Sequence, residues 1–106
     1  MTNLYEETLH MLTEHSKQPQ DVLFVKFKNN SYTTIYQFLE IAKTINYDAG
    51  YGLPEINENI CVVGRDWWLE RAEYDGAEWW EYKQLPQKDD LIQEKITVKD
   101  ITDWSE

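Results

Sequence analysis

Glu70 and Glu81 are the pair best placed for acid–base chemistry, because they fall opposite each other if the segments around them form a hairpin. Opposed residues of an antiparallel pair hold their Cβ atoms about 5 Å apart, near enough for one carboxylate to raise the pKa of the other. A hydrolase uses such a pair as acid and nucleophile or base. Nothing else in the sequence supplies a substrate cleft, and glutamates in a hairpin are usually just solvated. His10 and His15 miss the i,i+4 spacing that would place two metal ligands on one helix face. Asp48, Glu55 and Glu58 do not follow the twelve-residue calcium-loop pattern. There is no phosphate-binding glycine motif, no His-Glu-x-x-His, no paired-cysteine zinc pattern and no Gly-x-Ser-x-Gly elbow. The expectation is a protein that is not an enzyme and uses neither metal nor cofactor.

The two glutamates belong to "RDWWLERAEYDGAEWWEYK", Arg65 to Lys83, where two tryptophan pairs flank Asp75 and Gly76. Asp-Gly between alternating segments is the strongest short-range hairpin signal. A two-residue turn there places Trp67, Leu69, Arg71 and Glu73 opposite Gln84, Tyr82, Trp80 and Glu78 on one face. The other face carries Trp68, Glu70, Ala72 and Tyr74 opposite Lys83, Glu81, Trp79 and Ala77. Each face receives one tryptophan of each pair, since neighbours along a strand point to opposite sides. Trp67 and Trp80 suit a core. Trp68 and Trp79 must instead cover the back of the sheet, pack under a loop or tail, or meet a partner.

The chain around this hairpin is acidic: 106 residues with a net charge of −10 and a pI near 4.5. Phosphate backbones are bound through Lys and Arg, so direct contact with nucleic acid or anionic lipid is disfavoured and a basic protein surface is favoured. Charge for solubility alone is the plain alternative. Hydrophobic content of 42% and aromatic content of 14% are enough for one folded core. Cys61, the lone cysteine, has no partner for an intramolecular disulfide and reads as a buried strand residue. Neither a leader pattern nor an apolar run of membrane-spanning length occurs. A cytoplasmic location is the expectation.

A single domain over 1–106 is expected, opening with a helix over 1–17 that is capped by Asn3. A strand over 21–27 follows, then a short return strand in "SYTT" and a second helix from Thr34 to about Asn46. "NYDAGYGLPEINEN" reads as the longest irregular segment, and "ICVVG" as a buried strand. In the C-terminal extension, 87–106, "KITVKDI" alternates like an edge strand and "DWSE" reads as loose. The resulting fold class is α+β: an antiparallel sheet of four or five strands with two helices packed on one face.

"VVGRDWWLERAEYDGAEWW" and "WWEYKQLP" resemble a block found in a family of small acidic proteins of phages and prophages of Gram-positive bacteria. Weaker likeness in "YTTIYQFLEIAK" and "NYDAGYG" extends the resemblance over about Val22 to Pro86. It implies an inhibitor of a host nucleic-acid enzyme, such as an anti-CRISPR protein that imitates DNA in the basic cleft of an effector nuclease. The partner-binding set is then Asp66, Trp68, Glu70, Glu73, Tyr74, Asp75, Glu78, Trp79 and Glu81, with the 47–59 loop beside it. Carboxylates on one strand face recur only about every 6.8 Å, so both arms and the loop would be needed to imitate a phosphate backbone. The alternative is a phage structural or regulatory protein that assembles through the aromatic face, a role with which a homodimer is compatible.

Overall fold

A computed structural model of the chain describes residues 1–50 and 52–103. Strand β1 (Thr2–Asn3) leads into helix α1 (Leu4–Glu14), and Asn3 caps it by accepting a bond from the Glu6 amide at 3.1 Å. Helix α1 stops short of the expected end because Ser16 turns to a φ of 58°. A 3₁₀ turn at Pro19–Asp21 precedes β2 (Phe24–Phe27), which antiparallel β3 (Ser31–Thr33) follows. Thr34 caps α2 (Ile35–Ala42) through the Gln37 amide at 3.1 Å. This helix ends earlier than its pattern suggests, because Asn46 and Tyr47 form β4 and pair with β1. The remaining strands are β5 (Cys61–Val63), β6 (Trp67–Tyr74) and β7 (Ala77–Gln84).

The main sheet has five strands in the order β3-β2-β5-β6-β7, and each neighbouring pair is antiparallel. The hairpin has the register the turn dictates, from Tyr74 opposite Ala77 to Trp67 opposite Gln84. Asp75 and Gly76 both take positive φ, 49° and 90°, which matches the right-handed twist of the strands they join. Val25, Val62 and Leu69 stand side by side across β2, β5 and β6, each no more than 1% exposed. Both long helices cover this side: the Trp80 indole donates to Thr8 Oγ1 of α1 at 2.9 Å and packs edge-on against Phe38 of α2. Trp67 completes the layer and requires Gly64, where an added Cβ would come within 2.1 Å of the indole.

The C-terminal extension differs from expectation. "KITVKDI" forms no strand; residues Val98–Thr102 are a short helix, α3, started by a reciprocal cap between Thr97 and Asp100. Ile96 and Val98 would share one face of a strand, but no sheet edge among the described residues pairs with this segment and both side chains stay exposed, whereas the local cap is satisfied without tertiary help. Residues 83–103 are exposed throughout. Apart from Asp103, the "DWSE" ending lies outside the described residues.

Candidate functional site

The helix-covered face of the hairpin holds a buried ionic hub. Arg71, whose side chain is 3% exposed, lies 4.7 Å from the centroid of the Trp80 ring and 5.6 Å from that of Tyr47. Its guanidinium donates to the Tyr47 hydroxyl at 3.0 Å, to Glu78 Oε1 at 3.1 Å and to Glu7 Oε1 at 3.4 Å. The Tyr47 hydroxyl in turn donates to Glu7 Oε1 at 2.5 Å. Burial, followed by that bond to Glu7, pushes the tyrosine pKa up to about 12. Glu78 also accepts the backbone N–H groups of Glu55 at 2.7 Å and Ile56 at 3.1 Å. Glu78 is thus 4% exposed and fully engaged inside the protein, so it leaves the expected surface set. The signal was present in the sequence: alternation puts Glu78 on the core side, beside Arg71.

The hub positions the loop before β5. With Glu55 and Ile56 held by Glu78, and the Glu78 amide donating to Ala49 O at 2.8 Å, the loop lies against the tip of the hairpin. A Cβ added at Gly76 would sit 3.5 Å from the Gly52 nitrogen. One end of the molecule therefore gathers the exposed residues Asp48, Glu55, Glu58, Glu73 and Asp75. Glu58 and Glu73 line one small cavity, and the Asp48 amide donates to Glu55 Oε2 at 3.2 Å. Neither 44–64 nor 72–82 contains a Lys or Arg, and Arg71, which precedes the second stretch, is buried in the hub. Tyr74, 76% exposed, precedes the turn on the open side of β6, and Leu53, 85% exposed, follows Gly52 in the loop.

The other face of the hairpin has a different character. Trp68, Glu70, Trp79 and Glu81 share it with Lys83, and the sheet register extends it through Cys61 and Val63 to Phe24, Lys26 and Tyr32. Glu70 and Glu81 are directly opposed, as the turn requires. Each has its own neighbour: the Trp68 indole donates to Glu70 Oε1 at 2.7 Å, and Lys83 Nζ lies 3.0 Å from Glu81 Oε1. The Lys83 ammonium is held above its ordinary pKa by that hydrogen bond and the charge of Glu81. With Lys26 and Lys83 set against Glu70 and Glu81, charge on this face is balanced. Trp79 is 38% exposed and Tyr32 73%, while Trp68 and Phe24 are half-buried. Phe24 and Tyr32 meet edge to face with centroids 6.0 Å apart.

Cys61 is half-buried on this open face, and burial followed by the Glu70 charge pushes its thiol pKa up. A thiol held protonated in this way is a poor nucleophile. Asp66 lies beyond the start of β6, at the opposite end of the hairpin from the acidic tip, and its carbonyl accepts the Leu85 amide at 2.8 Å. The expected partner-binding residues are therefore divided. Glu73, Tyr74 and Asp75 lie at the acidic end, Trp68, Glu70, Trp79 and Glu81 on the balanced face, and Asp66 and Glu78 in neither.

Of the two histidines, His10 pairs with Glu14 at 3.1 Å and His15 stacks on Tyr82 at 3.8 Å. Among the described residues no cluster of three or more His, Cys, Asp or Glu side chains is arranged to hold a metal ion, and no helix is long and apolar enough to cross a membrane. No family model, curated protein or solved structure matches the chain.

Proposed function

We propose that the protein is a non-enzymatic, phage-type inhibitor that docks its acidic end into a basic nucleic-acid-binding site of a host defence nuclease, in the manner of an anti-CRISPR protein. The observation that carries this reading is the contact of hairpin tip and loop. It gathers carboxylates from two chain segments at one end, and the same two segments carry the exposed Tyr74 and Leu53. One strand face is too sparse in charge to stand in for a phosphate backbone; two segments brought together come closer to its density. A channel lined by Arg and Lys offers the complementary surface.

The test is capture of a partner from a host that carries its native defence nucleases, at low and at high salt, with wild-type protein and with Glu73→Lys/Asp75→Lys. Both substituted residues are exposed, and because Asp75 holds a φ of 49° in the turn, folding of the variant is checked by circular dichroism before capture. The reading predicts a basic nucleic-acid-binding protein that is captured at low salt, released at high salt and lost to the charge-reversed variant. Capture of the same protein by both forms at either salt would remove the acidic end from the function.

A second reading, assembly with another phage protein through the open face, is favoured by the charge balance and exposed aromatics of that face. Binding of that kind is insensitive to salt and is weakened by Trp79→Ala instead.

A further inference from the structure

A groove of about 500 Å³ opens between α2, β2 and the 55–60 segment. Leu4, Val25 and Ala42, each no more than 1% exposed, line it, together with the less buried Phe27, Ile41 and Ile60. Its size falls within the range of about 300–1,000 Å³ common to sites that take apolar groups. Among the described residues Glu55 is the one ionisable residue lining it, and it belongs to the same loop that forms the acidic end. One rim of an apolar groove is therefore continuous with the loop that carries Asp48, Glu55 and Glu58, a stretch of chain, 44–64, without Lys or Arg.

We infer that this groove receives the apolar side chains of a cationic amphipathic helix on the partner, while that helix's Lys and Arg residues meet Glu55, Glu58 and Asp48. The inference rests on the reading of the acidic end as a docking site and adds an apolar anchor to it. Charge complementarity selects this occupant: an acidic segment laid along the groove would bring like charges against Glu55 within a chain already at −10. Amphipathic helices recognise such grooves through residues spaced i, i+3 and i+4, so the hydrophobic stripe and the flanking cations arrive together.

The experiment uses the full chain and three fluorescein-labelled peptides, followed by anisotropy. One is a Leu/Lys amphipathic helix, the second a Leu/Glu helix of the same pattern, and the third a Lys/Gln peptide of equal positive charge. Ile41→Asp breaks the groove wall at a residue 64% exposed, with folding checked by circular dichroism. Because it adds a negative charge, any purely electrostatic attraction of Leu/Lys would strengthen. The inference predicts that Leu/Lys binds about tenfold tighter than Lys/Gln, that Leu/Glu does not bind, and that Ile41→Asp abolishes the Leu/Lys advantage. Equal binding of Leu/Lys and Lys/Gln, or unchanged Leu/Lys binding by Ile41→Asp, overturns the groove inference and leaves the acidic end standing. Binding of Leu/Glu as tight as Leu/Lys overturns the charge selection. If Glu73→Lys/Asp75→Lys leaves both cationic peptides bound as before, the acidic-end reading fails, and the inference with it.

Discussion

The hairpin of β6 and β7 carries tryptophan and glutamate on both faces, yet the two faces use them differently. Under the helices, Trp80 is 2% exposed with its indole bonded to Thr8, and Glu78 is spent on Arg71 and two loop amides. On the open side, Trp79 is 38% exposed and Glu81 pairs with the half-exposed Lys83. Residue type alone does not separate these roles. A carboxylate in water gains little from a neighbouring lysine, whereas one removed from water must have every lone pair met or the fold is weakened. The covered face therefore couples the hairpin to the loop and so shapes the acidic end, while the open face contributes surface.

The largest effects should come from breaking this contrast at the tryptophans. Trp80→Ala is expected to cost about 3–5 kcal/mol in urea unfolding through lost burial and an empty cavity. Trp79→Ala is expected to cost less than about 1 kcal/mol. Similar losses from both would show that the open face is not free in solution.

Next comes Glu78→Ala, expected to cost about 3 kcal/mol because Arg71 loses the nearer of its two ionic partners among the described residues and two loop amides lose their acceptor. The distinguishing readout is local: amide exchange at Glu55 and Ile56 should accelerate. Glu81→Gln on the open face should leave that exchange unchanged. Equal acceleration by both would break the link between the covered face and the loop.

The smallest effect is a pH dependence. Tyr47 titrates in the folded chain at about 12, above the ordinary tyrosine value near 10. Its contribution is complete below pH ~10 and is lost as the pH rises toward 12, because the unfolded chain releases the phenolic proton first. Tyr47→Phe should flatten the stability profile across that window. An unchanged slope would remove Tyr47 from the hub's energetics.

Short-range chemistry was legible in advance wherever one residue type has a forced geometry. Asp75 and Gly76 specified the turn, and the turn specified every pairing from Tyr74 opposite Ala77 outward. Asn3 and Thr34 marked the helix starts by their side-chain acceptors. The pairing of Thr2 and Asn3 with Tyr47 and Asn46 was not legible, since two-residue strands have no periodicity to read. Alternation in "KITVKDI" is compatible with an edge strand but does not show that a sheet edge is available to it, and the segment forms α3 instead. Alternation sets Glu78 on the covered strand face, but the distant Glu55 and Ile56 amides that hold it leave no local pattern in the sequence.

By itself the sequence determined the α+β class, the hairpin register and which tryptophan of each pair looks inward, because turn type and strand alternation act between residues close along the chain. Tertiary structure alone decided which carboxylates are exposed together. It folded the loop onto the hairpin tip through the Glu78 hub and left the apolar groove opening beside that loop. Such proximity depends on hydrogen bonds and desolvation between segments more than twenty residues apart, for which no local pattern is required.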